Sequence, residues 1–182
     1  MRRVRLLIPL LISIALLSAC GSGSQSAPAV NSRTIKAVVK TAALTGDRSI
    51  AGLQLSITVP AGVTPTFKTD GSVDSAATVE ITSASPGNQA LPGATFTRAT
   101  ATAPAELAIY AIEAAGFSVS DTITIHLKVA DGAKPLESDF RLLAFQAFST
   151  VVNGTGSVLV YDLHATGTNL ISLSPTLTTT IL

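Results

Sequence analysis

Alternation of apolar and polar residues is the feature that most limits how this chain can fold. In the segment 53–59 (LQLSITV), every second side chain is aliphatic, and glutamine, serine and threonine stand between them. The segment 122–130 (TITIHLKVA) follows the same pattern, with His126 and Lys128 at polar positions. A two-residue period places all the apolar side chains on one face of a strand, whereas a helix needs a period of about 3.6 residues. Both segments therefore predict strands with one buried and one solvated face.

Strand-like segments recur along the rest of the chain, separated by turn residues about every ten positions. They are rich in threonine, valine, isoleucine and alanine, and they are the segments 34–40, 78–82, 94–100, 106–114, 140–148, 157–164 and 177–182. Together with the two segments above they predict about nine strands. Because no helices separate them, the strands cannot be joined as parallel crossovers, and the expected fold is an all-β antiparallel β-sandwich of the jelly-roll kind.

The segment 106–114 (ELAIYAIEA) is apolar on both of its faces. Its alanine and glutamate residues would also suit a helix. Its short length and the strand pattern on either side favour a central strand of the sandwich.

A secretory signal is indicated at the N terminus. Arg2, Arg3 and Arg5 precede the apolar run 6–17, which is shorter than the stretch of about 20 residues that a membrane-spanning helix needs. The run ends in small residues, as a cleaved signal peptide does. We therefore expect residues 1–19 to be a signal peptide rather than a membrane span, and we interpret the Arg2-Arg3 pair as ordinary signal charge because the rest of a twin-arginine signal is missing.

The four residues Leu17-Ser18-Ala19-Cys20 resemble the lipobox of bacterial lipoproteins. The resemblance implies cleavage before Cys20, a diacylglycerol thioether on its sulfur, and a further acyl chain such as palmitate on its new amine. Two or more chains give a stable membrane anchor, whereas one gives only marginal binding. Glycine at position 21, in place of the aspartate of inner-membrane retention, implies the outer membrane if the bacterium has two membranes. The alternative is an ordinary secretory signal that leaves Cys20 free.

The part of the chain after the signal divides into a tether and one domain. Residues 20–33 are small and polar without periodicity, which predicts a lipid-anchored flexible tether, and residues 34–182 are of single-domain size. Loss of the three signal arginines changes the formal charge from +1 to about −2, so no basic field for nucleic acid remains. Because Cys20 is the only cysteine, no intramolecular disulfide is expected.

No catalytic constellation is recognisable, and we expect the protein not to be an enzyme. No serine lies in a G-x-S-x-G elbow, and Glu80, Glu106 and Glu113 carry no context that would pair them for sugar hydrolysis. A hydrolase with an unrecognised site is kept as a third class of function.

No metal site or cofactor is expected either. His126 and His164 are interpreted as solvated or strand-end residues, because a metal site needs three or more converging ligands. Four acidic residues, Asp121, Asp131, Glu137 and Asp139, leave calcium as an alternative to a solvated turn. The Asn153-Gly154-Thr155 sequon is interpreted as a hairpin turn.

The order of strands and turns resembles the cohesin-like domains of the carbohydrate-binding and cohesin superfamily over residues 34–150. The residues that carry the resemblance are a glycine and an aspartate before an alternating strand, then a phenylalanine strand: Gly116, Asp121, Ile123, Ile125, Leu127, Val129 and Phe140. The resemblance implies a nine-stranded jelly roll. It carries no dockerin-contacting residues over to this chain, and Thr58-Val59-Pro60-Ala61 replaces the tyrosine-aspartate-proline step of those domains.

The expected function is that of a lipid-anchored cell-envelope protein whose sandwich is a non-catalytic protein-interaction or structural module. The alternative is a cell-surface polysaccharide-binding module. The chain has no tryptophan, Tyr110 lies in an apolar strand segment and Tyr161 lies between Val160 and Asp162, so a planar aromatic platform for sugar is not expected. The terminal segment 177–182 (LTTTIL) raises a further hypothesis, that the last strand completes the sheet edge of a neighbouring molecule.

Overall fold

The structure is a computed structural model that describes residues 33–45, 50–82, 91–117, 122–150, 157–165, 167 and 169–182. The predicted signal peptide and Cys20 lie outside the described residues, as do the rest of the tether through residue 32, Asp121 and the turn at Asn153.

Within the described residues, the chain forms ten strands, one helical turn and one 3-10 turn. The strands are β1 (Thr34–Thr45), β2 (Ile50–Val59), β3 (Val63–Thr64), β4 (Val79–Thr82), β5 (Leu91–Thr97), β6 (Ala105–Phe117), β7 (Thr122–Val129), β8 (Leu142–Thr150), β9 (Ser157–Asp162) and β10 (Ser172–Ile181). The helical turn α1 is Ser75–Thr78, and the 3-10 turn is Glu137–Asp139.

The strands form two five-stranded sheets in which every pairing is antiparallel. The first sheet has the order β10-β1-β7, and β3 and β4 lie end to end along the other side of β7. The second sheet has the order β5-β6-β2-β8-β9. Residues from both sheets form one apolar core. The predicted all-β antiparallel sandwich is confirmed.

The two-residue period predicts the core-facing residues well. Leu55 and Ile57 of β2 and Ile125 and Leu127 of β7 are all buried. The expectation that every alternate residue is solvated is wrong at Ser56, Thr58 and Thr124, which are buried although they point away from the core. These positions lie on interior strands, where paired neighbours on both sides cover a small side chain.

Several segment boundaries differ from the sequence prediction. The segment 94–100 is shifted, because β5 spans Leu91–Thr97. The segment 140–148 begins its strand only at Leu142, because a 3-10 turn precedes it and the Thr58 hydroxyl accepts a hydrogen bond from the Arg141 amide at 2.8 Å. The helical turn α1 precedes β4, and the Asp74 carboxylate caps it by accepting from the Ala77 amide at 3.3 Å.

The two ends of the sandwich can be told apart by following β2. Its last residue, Val59, leads through a turn to Val63, which pairs with Val129 of β7. Arg33 lies at the same end, because its carbonyl accepts a hydrogen bond from the Val129 amide at 3.0 Å. Gly52 lies seven residues earlier in β2, about 24 Å away along the strand. We call these the Arg33 end and the Gly52 end.

Candidate binding face

The outer face of the second sheet carries a continuous apolar row near the Gly52 end. Strand register places one residue from each of the five strands side by side, in the order Leu91, Ile112, Gly52, Phe148 and Leu159. We call these five residues the apolar row. Adjacent positions on one sheet face lie about 5 Å apart, so these side chains form a contiguous surface.

Much of the apolar row is exposed to solvent. The exposed fractions are 71% for Leu91, 60% for Ile112 and 44% for Leu159, and Phe148 is half-buried. Contiguous exposed apolar surface of this kind marks interaction sites in soluble domains. The segment 106–114 forms an interior strand, as expected, but of its two apolar faces only the one that carries Leu107 and Ile109 is buried.

A second row crosses the same face one step nearer the Arg33 end. Register aligns Gly93, Tyr110, Gln54, Gln146 and Asp162, one from each strand in the same order. We call these residues the polar row. Among the described residues, the outward side chains within the five strands include two charged groups, Glu106 and Asp162, and both are acidic. The strands therefore give the face few charges, and the exposed cations Arg98 and Arg141 lie just outside β5 and β8.

The ring of Tyr110 lies flat against the sheet. A β-carbon built on Gly93 would collide with Cζ of the ring and would be equally distant from Cε2 and Oη, which is the pattern for a point above the ring face. Glycine therefore makes room for the ring, and the ring covers the glycine backbone, an arrangement known to stabilise strand glycines. The other face of the ring looks outward, and the side chain is 53% exposed. Tyr110 is thus a surface residue of the otherwise apolar segment 106–114.

A depression of about 300 Å³ lies between the two rows. Its lining includes the backbone of Gly52, the rings of Tyr110 and Phe148, and the side chains of Gln54 and Ile112. A β-carbon on Gly52 would lie 3.7 Å from Ala111 O, 3.7 Å from Phe148 Cβ and 3.9 Å from Phe148 Cδ2, which are ordinary contacts. The depression thus lies where position 52 has no side chain, and a β-carbon there would meet no close contact.

Hydrogen bonds hold the Asp162 end of the polar row in place. The Asp162 carboxylate accepts from Gln146 Nε2 at 2.7 Å and from the His164 amide at 2.8 Å. These two bonds lower the pKa of Asp162, the one from Gln146 more strongly. The Asn169 side chain accepts from the Asp162 amide at 2.8 Å and donates to its carbonyl at 3.0 Å. Asp162 is thus held as an ionised acceptor beside the amide of Gln146.

Of the candidate catalytic and metal-binding residues, the structure brings together only one pair among the described residues. His126 lies on the outer side of the first sheet, where its Nε2 is 3.0 Å from Glu80 Oε2, and the two side chains are 44% and 61% exposed. His164 lies at the end of β9 and contacts the Leu143 carbonyl through Nε2 at 2.6 Å. Glu106 and Glu113 occupy opposite faces of β6, and Glu113 is buried on the core side.

The acidic loop residues do not converge either. Asp139 Oδ2 accepts from the Leu136 amide at 2.8 Å and so closes the 3-10 turn, and Asp131 and Glu137 are exposed. The described residues contain no group of three or more histidine, cysteine or acidic side chains placed to hold a metal. The same part of the chain contains no helix of the length and hydropathy that crossing a bilayer requires.

Comparison with known proteins identifies no similar protein with which this face could be compared. No family model, no curated protein and no solved structure matches the chain. Sequence reasoning missed the face because Gly52 and Gly93 carry no chemical signal of their own. The available signal was the second apolar side of the segment 106–114, which on an open sheet faces solvent.

Proposed function

We propose that this protein is a non-catalytic binding module of the cell envelope, and that it holds a protein partner on the outer face of its second sheet. The observation that carries the proposal is the exposed apolar row, with the depression at Gly52 beside it. Aromatic and aliphatic side chains that surround a pocket and are bordered by polar groups have the anatomy of protein interfaces.

The size and charge of the face agree with a protein partner. Five strands at about 4.8 Å spacing and about seven residues of each strand give a face of about 600 Å². This approaches the roughly 800 Å² that one partner contributes to a standard interface. With Glu106 and Asp162 as the charged side chains that point outward from the described part of its strands, the face suits a partner that is mainly apolar and carries a cation near these two carboxylates.

Lipidation at Cys20 is the second half of the proposal, and its support is the lipobox of residues 17–20 followed by the polar segment 21–32. We expect mass spectrometry of the N-terminal peptide to show a diacylglycerol thioether on Cys20 together with an amide-linked acyl chain. The matched control is Cys20→Ser, which should keep its signal peptide or be released from the membrane fraction. An unmodified Cys20, or cleavage at another position, would overturn the lipid anchor.

The binding face is tested by photo-crosslinking in intact cells. A photoreactive amino acid at Ile112 should give a discrete protein adduct, and the same probe at Lys128, exposed on the other sheet, should not. Gly52→Val places a side chain in the depression, where its β-carbon meets only ordinary contacts, and in the Ile112 probe background it should remove the adduct. Equal labelling from both positions, or an adduct that survives Gly52→Val, would contradict this use of the face.

A second candidate is a polysaccharide ligand, and the orientation of Tyr110 favours it. A ring that lies flat on the sheet with its outer face open can stack against the apolar side of a sugar ring, and the exposed amide of Gln54 beside it can hydrogen-bond to hydroxyl groups. Affinity electrophoresis through cell-surface polysaccharides should then show retardation that Tyr110→Phe keeps and Tyr110→Leu loses. Equal mobility of all three forms in every polysaccharide would leave the protein partner as the ligand.

A further inference from the structure

Strand β10 is an edge strand whose outer side has no partner among the described residues. It pairs with β1 from Ile181 at one end to Ser172 at the other, and it ends the order of the first sheet. An open edge presents a row of backbone donors and acceptors that can pair with another strand. This surface is separate from the apolar row, which belongs to the second sheet.

Two backbone hydrogen bonds identify which groups of β10 point outward. The Leu182 amide donates to the Thr34 carbonyl at 2.9 Å, and the Val129 amide donates to the Arg33 carbonyl at 3.0 Å. Even-numbered residues of β1 therefore bond to β10, and odd-numbered residues bond to β7. Because bonding alternates along an antiparallel pair, the amides and carbonyls of Leu177, Thr179 and Ile181 point away from β1.

The usual protection of an edge strand is confined to one half of β10. Pro175 is an odd-numbered residue like Leu177, Thr179 and Ile181, so its backbone nitrogen also points away from β1. Because proline has no amide hydrogen, the free edge lacks a donor at this position, and the pairing with β1 loses none. Beyond it, residues 176–181 (TLTTTI) contain no charged residue and no proline. Natural edge strands commonly carry lysine or proline to prevent pairing. Residues 176–181 are left open to pairing.

We propose that β10 pairs with β10 of a second copy of this chain, antiparallel and centred on Thr179. In this register Thr179 lies opposite its own counterpart, and Leu177 lies opposite Ile181 on each side. These three pairs exchange about six backbone hydrogen bonds, because each hydrogen-bonded pair of an antiparallel ladder exchanges two. Pro175 lies just outside the paired stretch.

The side chains of this stretch favour self-pairing. On the outer face the two-fold axis sets Thr178 opposite Thr180 of the second copy, and both side chains are exposed. Threonine pairs across antiparallel strands are favourable, and like charges opposite one another are destabilising. Because residues 176–181 carry no charge, two identical edges meet without repulsion.

The position of Arg33 and Thr34 is compatible with a membrane-anchored dimer. The Thr34 carbonyl accepts a hydrogen bond from the Leu182 amide. Leu182 is three residues from Thr179, where the proposed two-fold axis of the dimer lies. Strand spacing and rise then place the two copies of Thr34 about 25 Å apart. A tether from residue 21 to residue 32 can extend to about 40 Å, so the proposed lipid anchors of both copies can reach one bilayer.

The proposal is tested by the oligomeric state of the full chain, purified in a density-matched detergent. Sedimentation equilibrium from about 1 to about 100 μM should show a monomer–dimer equilibrium for the natural sequence. Thr179→Pro removes an edge donor that β1 does not use and should weaken association about tenfold or more. Thr179→Val keeps the amide and a similar shape, and it should dimerise like the natural sequence.

Hydrogen exchange gives a second test that needs no variant. The amides of Thr178 and Thr180 bond to β1 and should be protected at every concentration. The amides of Leu177, Thr179 and Ile181 should exchange rapidly at low concentration and become protected as dimers form. A chain that is monomeric throughout the range, or a Thr179→Pro variant that associates like the natural sequence, would overturn the proposal. Gly52→Val should leave the dimer unchanged, so failure here is distinct from failure of the proposed function.

Discussion

Tyr110 and Gly93 show how one pair of residues makes the face. A tyrosine on a sheet surface normally stands away from the sheet, but here the neighbouring strand offers a residue with no side chain directly beneath the ring. The glycine is covered and the ring is held flat. The covered glycine and the flat ring both depend on the pairing of β5 with β6. The sequence alone therefore gives no sign that Gly93 and Tyr110 are in contact.

The Tyr110–Gly93 stack has a direct spectroscopic signature. The α-protons of Gly93 lie under the ring, so we expect them to be shifted upfield in the proton NMR spectrum and to return to ordinary values in Tyr110→Leu. Gly93→Ala should have the same effect on the ring, because the added methyl group must displace it from the sheet. If the Gly93 α-protons have the same shift in the natural sequence and in Tyr110→Leu, the ring does not lie on the glycine.

Asp162 makes a pH-dependent contribution at the other end of the polar row. Its pKa in the folded state is lowered, chiefly by the hydrogen bond from Gln146. A carboxylate with a lowered folded pKa stabilises the fold above its unfolded pKa, about 3.9, and loses that contribution as the pH falls through the folded pKa. Gln146→Leu removes the donor and should raise the pKa of Asp162.

The pKa of Asp162 in the natural sequence and in Gln146→Leu is measured by following its carboxyl carbon by NMR during acid titration. The fall in melting temperature between about pH 5 and the lowered pKa should be smaller in Gln146→Leu than in the natural sequence. Gln54→Leu is the matched control, because Gln54 is not hydrogen-bonded to Asp162 among the described residues. An Asp162 pKa that stays low in Gln146→Leu would show that another group stabilises the carboxylate.

Strand β2 shows what the sequence predicts about an element and what it leaves open. The alternation in 53–59 identifies Leu55 and Ile57 as core residues, because only periodicity within the segment is needed. The apolar row requires Gly52 to lie beside Ile112 and Phe148, which are 60 and 96 positions away in the chain. Such register is set by long-range pairing, so the candidate site was not predictable from local pattern even though the fold class was.

Gly52 within β2 and Gly62 just after it should respond in opposite ways to substitution by alanine. Gly52→Ala meets only ordinary contacts and restricts the unfolded chain, so the free energy of unfolding should rise by about 0.4–1 kcal/mol. Gly62 has a φ of +77°, and an added β-carbon would lie 2.5 Å from Ala133 Cβ. Gly62→Ala should therefore lower the free energy of unfolding by more than about 1 kcal/mol.

Urea unfolding of the two alanine variants measures both changes, because the difference in midpoint gives the difference in stability when the slopes agree. Destabilisation by Gly52→Ala would mean that the depression is required by the fold, and Gly52→Val would then be unsuitable as a blocking variant. Equal stability of Gly62→Ala and the natural sequence would contradict the strain at the turn.

At the scale of the whole molecule, the candidate face and the proposed anchor use different ends of the sandwich. The apolar row lies at the Gly52 end, and the chain enters the sandwich at the Arg33 end, about 24 Å away along the strands. The apolar row is therefore expected to face away from the bilayer, which favours a partner outside the anchoring membrane over the membrane itself.

Fluorescence quenching on lipid vesicles tests this orientation. In the lipidated chain the Cys20 sulfur is blocked, so Ile112→Cys supplies a single thiol for a fluorophore. We expect the probe to be quenched by iodide equally in the anchored and the detergent-solubilised protein, and to be unaffected by nitroxide-bearing lipids. Lys134→Cys is the matched control. Lys134 lines a pocket together with Arg33, at the end where the chain enters the sandwich, so lipid nitroxide should quench a fluorophore there more strongly. Stronger lipid quenching at position 112 than at position 134 would instead make the apolar row a membrane-contacting surface, because exposed aliphatic side chains gain as much free energy from acyl chains as from a protein partner.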